Sequence, residues 1–230
     1  MTGEGNKATE EVAKTAGKVV DATRELGGFI SRYVGGPLEQ AMGIFEDKLK
    51  YLRWERQIRL FDRATQFLHD RGLNEPNRAI PLQLAIPIMQ GGSLEEDDAL
   101  QDRWAMLLVN AADTEGPAIR RAYAAILENL TPFDAAILDK LFDADWAGPA
   151  GLEDAVAIYT HELPRRAVLE APLKKEPPVS LPTDVDVALV NLGRLGLICS
   201  AMAFGGMANM RAVSMTELGR EFIRACRPPA

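Results

Sequence analysis

Cysteine and histidine are nearly absent from this chain, and their scarcity removes most metal and redox chemistry. Of 230 residues, two are cysteine (Cys199 and Cys226) and two are histidine (His69 and His161). There is no C-x-x-C motif, and so few cysteines in so long a chain point to a reducing compartment, not a disulfide scaffold. Neither histidine has a second ligand at helical spacing, and His161-Glu162 is not followed by another histidine. His69 lies near the end of a helical pattern, where a cation suits the helix dipole. Glycine signatures for phosphate are missing, both G-x-x-x-x-G-K-[ST] and G-x-G-x-x-G, as is the G-x-S-x-G elbow. No uncharged apolar run approaches the roughly 20 residues of a membrane-spanning helix. Met1-Thr2-Gly3-Glu4-Gly5 lacks a basic stretch ahead of an apolar one, so no signal peptide is expected. These absences predict a cytoplasmic protein with no catalytic, cofactor or metal site.

Excess positive charge is lacking too. The chain has 26 basic and 33 acidic residues, a net charge of −7. Residues 1–129 carry 16 basic and 20 acidic side chains, and residues 130–230 carry 10 and 13, so the acidity is spread evenly. Such a surface repels nucleic acid and anionic lipid over most of its area.

What is present is helical periodicity. Residues 1–6 read as a disordered tail. From Lys7, Val12, Ala16, Val19, Thr23, Leu26 and Ile30 recur at spacings of three and four. Gly27-Gly28 and Gly35-Gly36 weaken that stripe, and Pro37 can open a second helix, over Leu38 to Asp70, which Gly72 ends. Pro81 opens a short apolar helix, Leu82 to Gln90, closed by Gly91-Gly92. Ser93 with Glu96 reads as a capping box for the next helix, with Glu95, Asp97 and Asp98 favoured by its dipole. Trp104 is in phase with Leu100, Leu107 and Leu108 and reads as core. Pro117 opens a helix through Leu130, and Thr131-Pro132 starts another. Further on, the pattern predicts a short helix at Gly151–Glu162 and an exposed proline-rich loop over 164–182. A helix follows at Asp184–Leu195, and a last one runs from Thr216 or Glu217 to Cys226. A helix ended by Gly196, then Leu197-Ile198-Cys199 and Arg211–Met215 as a hairpin, is how a winged helix reads. The glycine-rich Phe204-Gly205-Gly206-Met207 lies in that wing.

The charged clusters bear on function. Glu95, Glu96, Asp97, Asp98 and Asp102 form the densest acidic group, open to a divalent cation or a basic partner, although helix capping already explains their type and place. Trp54 stands among Lys48, Lys50, Arg53, Arg56, Arg59 and Arg63, where an aromatic could stack on nucleic acid. Glu46, Asp47, Glu55 and Asp62 are interleaved, and Arg59 can pair with Glu55 at i, i+4, so a solvated, ion-paired face is favoured. The helix at 184–195 turns Asp184, Val187, Asn191 and Arg194 outward, too little positive charge for phosphate neutralisation. Glu95, Glu96, Asp97, Asp98, Trp54, Arg53 and Arg56 are the candidate partner-contact residues.

Several stretches resemble one family. Ser93 to Leu108, reading SLEEDDALQDRWAMLL, resembles the central motif of the Abi-alpha (abortive infection alpha) family. Gly35-Gly36-Pro37-Leu38, Asp47 to Glu55, Ile80-Pro81-Leu82, Leu130 to Asp134 and Leu192 to Ile198 resemble it in the same order. The resemblance covers most of residues 15–226. It implies a bacterial helical protein associated with phage resistance, and it carries no enzymatic residues over.

The expectation is therefore a mainly α protein. A multi-helix region, 7–129, precedes a winged-helix-like region, 130–226, with one short β-hairpin and a tail at 227–230. Its expected role is non-enzymatic antiphage defence through contact with a protein partner, another copy of itself included. Two alternatives stay open: a membrane-acting effector using the amphipathic segment at 7–45, and a nucleic-acid-binding regulator using the winged part. The small residues Ala13, Ala16, Gly17 and Val20 allow close helix approach, but Lys14, Lys18, Asp21, Arg24 and Glu25 rule out a spanning segment.

Overall fold

A computed structural model of the protein describes residues 54–146, 157–170, 181–201 and 210–227. The expected tail at 1–6, the helix from Lys7, the Leu38 end of the second helix and the Gly205-Gly206 turn lie outside the described residues. Within them the chain is mainly helical with one small antiparallel sheet. Its elements run α1 (Trp54–Asp70), α2 (Leu82–Leu94), α3 (Asp98–Ala111), α4 (Ala122–Leu127), α5 (Pro132–Trp146), β1 (Ala157–Tyr159), β2 (Val168–Glu170), α6 (Thr183–Arg194), β3 (Ile198–Ser200), β4 (Ala212–Met215) and α7 (Glu217–Cys226).

Helix α3 is the axis of the fold. Leu100, Gln101 and every residue from Arg103 to Ala111 are buried. A helix apolar nearly all round must be covered on all sides, and α1, α2 and α7 pack around it. Trp104 is among the largest fully buried side chains, as its phase predicts. One continuous core runs from Leu60 to Cys226 and includes residues on both sides of position 130. Asn110, fully buried on α3, donates from Nδ2 to the carbonyl of Ala225 on α7 at 2.7 Å.

Several local signals act as the sequence suggests. Gly72 and Gly196 have φ of 74° and 75°, a left-handed conformation that glycine adopts without steric cost. The amides of Leu73 and Leu197 reach back to the carbonyls of Leu68 and Leu192, each at 3.0 Å, closing the ends of α1 and α6. The Thr131 hydroxyl accepts the Asp134 amide at 3.1 Å, and the Asp134 carboxylate accepts the Thr131 amide at 2.9 Å, a reciprocal cap on α5. Thr216 caps α7 by accepting the Gly219 amide.

Others differ. Gly91-Gly92 does not close α2, which continues to Leu94. A Cβ on Gly91 would stand 2.3 Å from Cη2 of Trp104, and one on Gly92 would stand 2.8 Å from Cδ2 of Leu60. The two glycines serve close helix approach, and packing overrides their low helix propensity. Ser93 does not cap α3. It is buried inside α2 and its hydroxyl donates to the Gln90 carbonyl at 2.9 Å. Asp97 is the N-cap, accepting the Leu100 amide at 2.9 Å. Between Pro117 and Leu130 only Ala122–Leu127 is helical. Pro117 fixes φ at a value that suits extended chain as well as a helix start.

The C-terminal half has a four-stranded sheet where one hairpin was expected, in the order β2-β1-β4-β3, all pairs antiparallel. Residues 157–159, expected to be helical, are β1, and β2 lies inside the expected proline-rich loop. β1 alternates as a strand must: Ile158 enters the main core, whereas Ala157 and Tyr159 join Ala212 and Val168 in a small separate cluster. Three residues are too few for that period to show in sequence.

The close approach at Gly91 fixes the sign of a substitution. An exposed helical glycine changed to alanine gains about 1 kcal/mol. Gly91→Ala instead loses about 1–3 kcal/mol by overpacking against Trp104, measurable as a lower midpoint in chemical denaturation.

Candidate functional site

The two charged groups read separately in the sequence meet in the structure. Arg56, Arg59 and Arg63 are three and four apart, so they share one face of α1. That face lies against the turn between α2 and α3. Arg56 Nη2 pairs with Glu96 Oε1 at 2.6 Å, and its Nη1 donates to the carbonyl of Leu94 at the end of α2 at 3.3 Å. Arg59 Nη1 pairs with Asp98 Oδ1 at 2.6 Å, and Arg63 Nη2 approaches the same oxygen at 3.6 Å. Arg63 also pairs with Asp102, one turn further along α3. The expected Arg59–Glu55 pair gives way to this contact because the packing of α1 on α3 brings a better-placed carboxylate.

The two remaining acids serve the backbone. Glu95 Oε1 accepts the amides of Glu96 at 2.9 Å and Asp97 at 3.0 Å, and Asp97 caps α3. All five acids of the cluster therefore have partners inside the chain. Of the other candidates, Arg53 lies outside the described residues, and Trp54 is the first residue of α1. Ion pairs this exposed contribute about 0–1 kcal/mol each. Their larger effect is electrostatic: three cations and three carboxylates cancel over one helix face.

A second polar cluster, not foreseen, closes the far end of α3. Asp113 accepts from Asn77 Nδ2 at 3.0 Å, from the Glu115 amide at 3.0 Å and from Arg71 Nη1 at 3.2 Å. Arg78 Nε donates to the Ala111 carbonyl at 3.0 Å and its Nη2 to that of Asn110 at 3.2 Å, placing a cation at the negative end of the helix. Burial alone would raise the Asp113 pKa, but the Glu115 amide, Asn77 and Arg71 outweigh it and hold the carboxyl below its usual value. The only hint in sequence is a run of Arg and Asn through a loop, with nothing to say which carboxylate they would meet. Arg103 with Asp139 and Arg220 with Asp145 are further long-range pairs of this kind.

Reactive groups are few. Cys199 and Cys226 are both free thiols. Burial pushes the Cys226 thiol up to about 12, which leaves it unreactive. His69 is exposed near the end of α1, and His161 Nε2 lies 3.9 Å from Glu162 Oε1. Among the described residues, no three His, Cys, Asp or Glu side chains come together as a metal site, and no helix is long and apolar enough to cross a membrane.

The outward face of α6 is as sparse as its sequence suggests. Val185, Ala188, Leu189 and Leu192 are buried. Arg194 donates to Asn191 Oδ1 at 2.8 Å and to Asn129 Oδ1 at 3.4 Å, and Asn191 donates to the Asn129 carbonyl at 2.9 Å. Both residues tie α6 to the loop before α5.

A family model described as Abortive infection alpha matches residues 55–226, about three quarters of the chain. No curated protein and no solved structure matches it.

Two measurements check this geometry. A double-mutant cycle between Arg63→Ala and Asp102→Ala gives a coupling of about 0.5–1 kcal/mol that shrinks in high salt. Asp113 has a depressed pKa, so its contribution is complete above the unfolded value and lost as pH falls through the folded one. Asp113→Asn therefore costs about 1–2 kcal/mol at neutral pH, and the gap from wild type narrows below about pH 4 in pH-dependent unfolding.

Proposed function

This chain belongs to the abortive infection alpha family, and from that premise we propose that it acts in phage defence through noncovalent contact with a protein partner, without catalysing a reaction. The observation that carries this reading is the mutual neutralisation of Arg56, Arg59 and Arg63 by Glu96, Asp98 and Asp102. Among the described residues, the arginines that would suggest a nucleic-acid surface and the acids that would suggest a cation site are engaged with one another.

We read the C-terminal part as a winged-helix-like module, with α5 and α6 as two of its helices, the antiparallel β3–β4 pair as the wing and β1 extending the sheet. Such a module needs a basic helix face to hold DNA. Here the exposed residues of α6 include Asp184, Asp186, Val187 and Val190, and a single arginine stands against two acids. Contact with protein suits that face better. Fold by itself assigns no activity, so the reading rests on this charge distribution and on the family.

The test has two arms. Host cells carrying the gene form fewer plaques than cells without it. Purified full-length protein with Mg²⁺ releases no phosphate from nucleoside triphosphates and cuts neither plasmid DNA nor single-stranded RNA. Turnover at catalytic rates in the second arm overturns the contact mechanism, and unchanged plaque counts in the first overturn the defence role.

A further inference from the structure

Helix α6 presents solvent with a stripe that is complementary to itself. Thr183, Val187, Val190 and Arg194 follow one another at spacings of four, three and four, so they share one line along the helix. All four are exposed, Val187 at 63% and Val190 at 38%. Asp184 and Asp186, also exposed, flank the N-terminal end of the stripe.

Two exposed valines on a helix are costly locally. A β-branched side chain loses rotamer freedom against the preceding turn, and its apolar surface stays hydrated. The stripe is also symmetric. Thr183 with Arg194 and Val187 with Val190 straddle one midpoint. Two such helices laid antiparallel therefore bring each Val187 onto the other copy's Val190. The same arrangement sets the Asp184–Asp186 end of each beside the other's Arg194. This is the isologous pattern of a two-fold interface, in which residue i meets j and j meets i.

We infer that α6 is a homodimer contact, occupied by the α6 of a second copy of this chain in antiparallel orientation. Arg194 already projects from the stripe, and its hydrogen-bond partners among the described residues are the neutral side chains of Asn191 and Asn129. A carboxylate from the second copy gives it a charge-assisted bond, roughly twice as strong as a neutral one. Antiparallel helix dipoles add to the attraction. A 12-residue helix is about 18 Å long. Such a pair buries less than the ~1,000 Å² of a stable interface, so the association is weak and depends on concentration. The inference goes beyond the defence reading and holds whether or not the chain catalyses anything.

Sedimentation velocity of the full-length protein at low salt, from micromolar to several hundred micromolar, tests it. Wild type moves reversibly from monomer to dimer. Val187→Glu raises the Kd about tenfold or more. Asp186→Arg and Arg194→Asp each weaken association alone, but an equal mixture of the two restores it, because arginines on one chain then face aspartates on the other. Val187→Glu keeps the wild-type Tm, since that side chain is exposed and its loss opens no buried contact; the two charge variants are compared with each other and with their mixture. A wild type monomeric throughout overturns the inference. So does a Val187→Glu protein that associates like wild type, or a mixture no better than its components.

Discussion

The seating of Trp104 against the Gly91-Gly92 pair of α2 is the constraint on which the rest of the helical region depends. Its indole lies so close to Gly91 that a single methyl group there would overlap the ring. A Cβ on Gly92 would meet both Leu60 of α1 and the Cβ of Trp104, so three helices converge at this glycine pair. A buried Trp truncated to Ala typically costs about 3–5 kcal/mol, several times the contribution of any exposed ion pair nearby. The apolar contact therefore sets the geometry and the charges conform to it. With α2 pressed onto α3 at that point, the chain between them must turn within Glu95, Glu96 and Asp97. That turn holds Glu96, and the first turns of α3 hold Asp98 and Asp102, all against the arginine face of α1.

The electrostatic character of the molecule follows. A sequence with 26 basic residues has enough cations for a polyanion site if they gather. Among the described residues, six arginines are instead paired with carboxylates: three on the α2–α3 turn and α3, Arg71 on Asp113, Arg103 on Asp139 and Arg220 on Asp145. Most of these pairs join elements far apart in sequence and so hold the helices in register as they cancel charge. Such pairing favours protein contact over phosphate binding, and that is the physical basis on which we propose a contact mechanism.

Much of the helical architecture was legible in the sequence because it rests on local signals. The positive-φ glycines at 72 and 196, the Thr131–Asp134 cap and the phase of Trp104 each need only a few neighbouring residues to operate. The failures share a cause. Ser93 with Glu96 has the letters of a capping box, but the helix start is displaced by four residues because Gly91-Gly92 is used to admit Trp104 and not to stop α2. Strands β1 and β2 have three residues each and acquire their identity from partners up to 55 residues away, as in the pairing of Ile158 with Val213. The acidic and basic clusters were each visible, but their meeting depends on the α1–α3 packing, which no local pattern encodes.

Neutralisation of the α1 arginines is the central claim, and removing the acids tests it most directly. In a variant carrying Glu96→Ala, Asp98→Ala and Asp102→Ala, three guanidinium groups are released onto one helix face. Titration with a mixed-sequence DNA duplex at several salt concentrations then shows new binding whose log–log salt slope steepens by up to about three relative to wild type. A wild-type protein that binds the duplex as steeply as the variant, or a folded variant that acquires no affinity, would contradict the account.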